Sequence, residues 1–187
     1  AVAGLHINAT RWLPMAHRIL DAIVAGASGC DDSFQGYRAR PFHEKVGEED
    51  QRYKRSIEHN IDVFALATLL GNSTVAARAR TFVEAMHGRF AHPYDGGYAA
   101  GTRGLWNSTL NPPGSCSTLL DDAFFSVALP ADGVSWNVLA GADSSQARLD
   151  LGLQWLQLLR HTTTQEGFDY VGVKFSTQGS GIQWEAS

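Results

Sequence analysis

Apolar positions recur along much of the chain at helical spacing. After Thr10, a candidate cap, Leu13, Ala16, Ile19, Leu20, Ile23 and Val24 fall on one face, with Arg11, Arg18 and Asp21 largely opposite. This pattern predicts an amphipathic, half-exposed helix. Pro14 falls in its first turn, where proline is tolerated, and Gly26 and Gly29 end it. A second helix is predicted after Ser56, from Ile57 to Leu70, stopped at Gly71. Beyond Asp62 it carries no charge, and a helix apolar on every side is enclosed by its neighbours. Ser73 caps a third, amphipathic helix, with Val75, Ala79, Phe82, Val83 and Met86 set against Arg78, Arg80 and Glu84. A fourth is expected from about Thr118 to Leu129, polar only in its first turn and stopped by Pro130. A fifth, amphipathic again, is expected from about Ser145 to His161, carrying Leu149, Leu153, Leu156 and Leu159.

These segments alternate in kind. Exposed-type helices open near positions 10, 73 and 145, and enclosed-type helices near 56 and 118. A third enclosed-type start is read in Gly181 to Ser187. Between exposed and enclosed helices lie long loops with a Gly-aromatic signal: Gln35-Gly36-Tyr37, Gly96-Gly97-Tyr98 and Glu166-Gly167-Phe168. The spacing, about 60 to 70 residues, describes an internal repeat of helical hairpins. The expected fold class is all-α, in two concentric layers, with residues 1–187 forming a single domain or a fragment of one. The long loops all precede inner helices, so they gather on one face, where functional groups are expected.

Composition narrows the function. The chain has 187 residues, of which 44% are hydrophobic and 18% charged, an ordinary globular balance. A net charge of -4 argues against nucleic acid as the main partner, because a phosphate backbone calls for a basic face. Apolar runs such as Val63 to Ala67 are far shorter than a membrane span. The chain opens Ala1-Val2-Ala3 without Met or a visible signal peptide, as a mature or trimmed product would.

Cys30 and Cys116 sit in no Cys/His cluster, so a structural zinc site is not expected. The two thiols suit either one disulfide or two buried free cysteines. Three sequons, at Asn8, Asn72 and Asn107, fall at expected loops or helix starts and favour an extracellular compartment. Asn, Ser and Thr also favour caps and turns for their own sake. In an extracellular setting a Cys30–Cys116 disulfide is the favoured pairing.

The segment Ser56-Ile57-Glu58-His59-Asn60-Ile61-Asp62-Val63-Phe64-Ala65 resembles a signature of secreted six-hairpin glycosidase-like proteins of the (α/α)6-toroid type. Phe82-Val83-Glu84-Ala85-Met86, Gly97 to Thr102, Leu120 to Leu129, and Gly167-Phe168-Asp169-Tyr170 through Trp184-Glu185-Ala186-Ser187 are similar to later motifs of such proteins, in the same order. Adjacent Asp121 and Asp122 depart from the single Asp usual there. A closed toroid needs about twelve helices, and five are read here. The resemblance therefore implies a partial toroid, either a fragment or an arc completed by other chains or by copies of itself.

In that arrangement Glu58, Asp62, Asp121, Asp122 and Glu185, all in first turns of inner helices, point into one cup. Inverting glycosidases need a protonated carboxyl and a carboxylate about 6.5–9.5 Å apart. Glu58 or Glu185 is the acid candidate and Asp62 or Asp121 the base candidate. The same residue types also suit the helix dipole and capping. His59 is placed to meet a substrate hydroxyl or to rest satisfied in the core. Tyr37, Tyr98, Trp106, Tyr170 and Trp184 form either a sugar-stacking platform or plugs beneath the long loops, and Trp136 is assigned to the core. No HExxH pair, phosphate loop or nucleophile elbow occurs, so no catalytic metal or cofactor is expected.

Two functions follow as expectations. One is an extracellular carbohydrate-active protein that binds a polysaccharide and hydrolyses it through paired carboxyls. The other is a non-catalytic glycan-binding or structural subunit.

Overall fold

The computed structural model describes residues 9–28, 30–39, 53–87, 96–106, 114–120, 131–174 and 184–185. The described residues form five helices and six strands. The helices are α1 (Ala9–Ala27), α2 (Ile57–Leu69), α3 (Ser73–Met86), α4 (Asp132–Ala140) and α5 (Gln146–Leu158). The strands are β1 (Arg55–Ser56), β2 (Gly101–Trp106), β3 (Gly114–Leu120), β4 (Arg160–Gln165), β5 (Phe168–Val173) and β6 (Trp184–Glu185). They form two three-stranded antiparallel sheets, ordered β1-β2-β3 and β4-β5-β6.

The all-α partial toroid is thus overturned, and the fold is mixed. The start of the expected fourth helix is corrected. Thr118, Leu119 and Leu120 lie in β3, paired to β2 with Thr102 opposite Leu120. Residues 121–130 of that expected helix lie outside the described residues. The expected fifth helix stops at Leu158, short of His161. Three successive threonines, Thr162, Thr163 and Thr164, favour extended backbone because their branched Cβ packs well on a pleated surface. Glu166 and Gly167, with φ of 53° and 83°, then make the two-residue turn whose twist matches the flanking strands. The third Gly-aromatic loop is therefore a tight hairpin, and the repeat breaks there. The enclosed helix expected at Gly181 to Ser187 is also corrected, since Trp184–Glu185 adds a short strand beside β5.

A helix not foreseen, α4, begins just past Pro130. Trp136 lies on this helix, 37% exposed, so its assignment to the core is corrected.

The remaining helices follow the local pattern, with differences at their ends. In α5, Ser145 Oγ accepts the Arg148 N–H, as a cap should. In α3 the cap is Asn72, whose Oδ1 accepts the Val75 N–H at 3.1 Å, rather than Ser73. Ser56 holds the cap position of α2 without a side-chain bond, and the Ile57 N–H instead donates to Ala100 O at 2.8 Å. Helix α1 starts before Thr10, and Arg38 serves its far end, donating to the Gly26 and Ala27 carbonyls.

The short Gly71-Asn72 turn sets α2 and α3 side by side. Helix α2 also packs on α4, and α4 on α5. Ile57, Ile61, Phe64, Phe82, Val83, Met86, Tyr98 and Val134 fill the shared core. Helix α2 is not enclosed all round: His59, Asp62, Thr68 and Leu69 are exposed along one side. Among the described residues no helix is long and apolar enough to cross a membrane.

Candidate functional site

Helices α2 and α4 lie in contact, and both carry acids in their first turns. Glu58 opens α2, Asp62 follows one turn later, and Asp132 opens α4. The first turn attracts carboxylates through its unpaired N–H groups and the helix dipole. Among the described residues none of these three side chains makes a hydrogen bond. Burial pushes Glu58 above the ordinary carboxylate range, and the negative charges of Asp132 and Asp62 push it further, against the opposing pull of His59. Burial also raises Asp62, again with His59 opposing, and it raises Asp132. Burial favours the protonated form of all three acids relative to a free carboxylate, and for Glu58 the neighbouring negative charges add to it.

Asp132 was not foreseen as a site residue. Its signal was present in Pro130-Ala131-Asp132-Gly133, a proline ahead of an acid in a first turn. Pro130 also suited the end of the preceding apolar run, and that reading displaced it. The small Gly133 next to Asp132 lets α4 approach α2, for a Cβ there would lie 3.3 Å from Ile57 Cγ2.

The aromatic platform is not formed by Tyr37 and Tyr98. Tyr37 is 2% exposed, with the Arg78 guanidinium 5.7 Å from its ring centre. Asn60, itself fully buried, clamps Tyr37 by accepting its N–H at 2.7 Å and donating to its carbonyl at 3.0 Å. Gly36 makes this possible. Its φ is +79°, and a Cβ there would fall 2.7 Å from Phe82 Cβ and 2.8 Å from Asn60 Oδ1. Tyr98 is wholly buried, and its hydroxyl donates to Asp143 Oδ2 at 3.0 Å. Both tyrosines are plugs that hold loops to the core. Tyr170 is exposed, but on the β4–β5 hairpin. The side chains of Trp106, Trp184 and Glu185, and residues Asn8, Asn107, Asp121 and Asp122, lie outside the described residues.

Beside the acids, a cavity of about 650 Å³ opens between α1 and α2. Its walls are apolar: Ile19, Ala22 and Ile23 from α1 face Val63 and Leu66 from α2. Tyr37, Arg38, His59 and Asp62 line it where α1 ends and α2 begins. Glu58 neighbours His59 at that same end.

The two cysteines form a disulfide, Cys30–Cys116, with Cα atoms 5.6 Å apart. It ties the loop after α1 to β3. Asn72 is exposed at the start of α3, where its amide nitrogen is not the capping atom. Among the described residues no group of three or more His, Cys, Asp or Glu side chains is placed to hold a metal ion.

Compared with known proteins, the chain matches no family model, no curated protein and no solved structure.

Proposed function

We propose that this protein is an extracellular carbohydrate-active protein that cleaves a glycosidic bond with Glu58 as the proton donor. The observation that carries the reading is the coupling of Glu58 to Asp132 and Asp62 at the adjoining starts of α2 and α4. Glycoside hydrolysis requires a division of labour, in which one group gives a proton to the leaving oxygen and another activates water or meets the sugar carbon; of the three raised acids Glu58 alone carries the added push of neighbouring negative charges, which favours it as the donor. Asp132 or Asp62 takes the second role. His59, exposed and lining the cavity with Asp62, is placed to bond a sugar hydroxyl. The reaction class draws on the likeness of the Ser56–Ala65 segment to secreted glycosidase-like proteins, an argument by resemblance. The Cys30–Cys116 disulfide and the exposed sequon at Asn72 support an oxidising, extracellular setting.

The test is turnover on a panel of polysaccharides and glycosides, with folding followed by circular dichroism. Product release that is lost in folded Glu58→Gln supports the reading. No product on any substrate, or full activity in that variant, overturns it.

A second reading, a non-catalytic subunit that assembles with other chains, is favoured by one observation. Leu139, Leu158 and Phe168 are 85%, 64% and 67% exposed, an unusual expenditure of apolar surface on α4, α5 and the hairpin. Light scattering separates the two, since a monodisperse monomer counts against assembly.

A further inference from the structure

We propose that the cavity between α1 and α2 binds the apolar part of an uncharged amphiphile, an alkyl or aryl chain whose hydroxylated head rests at His59 and Asp62. The substrate class is then an alkyl or aryl glycoside, such as a glycolipid, rather than a plain polysaccharide. This inference rests on the proposed function for the sugar character of the head.

Size and lining agree with a small-molecule site. Such sites run from about 300 to 1,000 Å³ and are mostly apolar, with a few polar groups that fix orientation; this cavity measures about 650 Å³. Its polarity is also graded. Ile19 and Leu66 lie away from the start of α2, whereas Arg38, His59 and Asp62 gather near it. An elongated ligand is therefore oriented with its tail along the helices and its head beside His59 and Asp62. Ile19 is 48% exposed, so the wall leaves apolar surface in water that a tail would cover.

Charge selects the head. The cavity presents one fixed cation and one carboxylate, Arg38 and Asp62. Arg38 turns Nε and Nη2 toward the Ala27 and Gly26 carbonyls, at 3.3 and 2.7 Å, and so ends α1 rather than gripping an anion. Asp62 offers only acceptors, and a carboxylate or phosphate head would meet its repulsion. A head rich in hydroxyls donates to Asp62 and adds no charge to a balanced site.

The experiment is calorimetric titration of the full chain with glucose and with alkyl glucosides from methyl to octyl, below their micellar concentrations. Affinity is expected to rise about threefold to fourfold per methylene until the cavity is full, the factor equivalent to about 0.8 kcal/mol per buried methylene. Ala22→Trp, at an exposed position of α1, fills the space and is expected to remove the chain-length dependence. Leu66→Trp does the same from the other wall. Asp62→Asn is expected to weaken the whole series by a similar factor. Affinity independent of chain length, or unchanged in both folded tryptophan variants, overturns the inference. Octanoate binding as tightly as octyl glucoside overturns the uncharged head. Chain-length-dependent binding without turnover sinks the proposed reaction and leaves the cavity assignment standing. Turnover without chain-length dependence does the reverse.

Discussion

The guanidinium of Arg55, fully buried, grips both carboxylate oxygens of Asp32 at 2.7 and 2.8 Å. Arg55 also donates to Gln35 O and to Thr102 Oγ1, and it lies over the rings of Phe34 and Phe82. One side chain thus joins the loop after α1, strand β1 and strand β2. Asp32→Ala leaves this charge in the core without its counter-ion. Loss of one partner of a buried pair costs about 3–5 kcal/mol. The expected result is a lower urea midpoint at unchanged slope, and Asp32→Leu combined with Arg55→Met recovers much of the loss.

Asp143 governs the acid limb of stability. Burial pushes its carboxyl up, but hydrogen bonds from Arg148, the Ser145 N–H and Tyr98, with the Arg148 charge, outweigh burial and hold it below the ordinary range. A depressed folded value means that the stabilisation is complete above the unfolded value and is lost as pH falls through the folded one. The same direction holds for Asp32. Urea midpoints measured from neutral pH downward should fall, and Asp143→Asn should flatten part of that fall while lowering stability at neutral pH.

The acids at the starts of α2 and α4 have the opposite sign. Glu58, Asp62 and Asp132 are raised in the fold. Their destabilisation is absent when all are protonated and grows as pH rises from the ordinary carboxylate value through the raised one. Asp132→Asn removes a buried charge and is expected to raise the denaturation midpoint at neutral pH. A functional acid is often kept at such a cost to stability. An unchanged or lower midpoint would remove Asp132 from the cluster.

If Glu58 donates the proton, Glu58→Gln lowers kcat by about 10²–10⁴-fold, the usual contribution of a positioned acid. In Asp132→Asn the carboxyl of Glu58 should titrate at lower pH, since a neighbouring negative charge is gone. Carboxyl carbon chemical shifts across a pH series read this directly.

The Cys30–Cys116 bond closes a sequence separation of 86 residues. Restricting an unfolded chain over so long a loop is worth roughly 4 kcal/mol. Reductant should lower the melting temperature of the native protein, and should leave that of a Cys30→Ser, Cys116→Ser variant unmoved.

The acidic start of α2 was legible in the residues, because a carboxylate in a first turn announces itself beside an apolar run. Its counterpart was not. Asp121, expected to face Glu58, lies outside the described residues, and the acid whose charge acts on Glu58 across the helix contact is Asp132, at the start of α4. The sugar platform failed for a related reason. Tyr37 and Tyr98 follow glycines in loops, as exposed ligand contacts do, but Asn60 and Asp143 draw them inward. No local pattern distinguishes a tyrosine that stacks on a sugar from one whose hydroxyl finds a buried acceptor.

The chain alone settled what depends on near neighbours: the bodies of α2, α3 and α5, and the acid Glu58 in the first turn of α2. Each rests on spacings of three or four residues, and helix energetics are local to that range. Distant partners settled the rest. Whether Thr118 to Leu120 coils or extends depends on a ladder with β2, and the upward push on Glu58 comes from burial and from a charge 74 positions away, Asp132. Strand pairing and charge coupling are energies of contact through space, and they acquire a value only once the folded chain has brought the two members together.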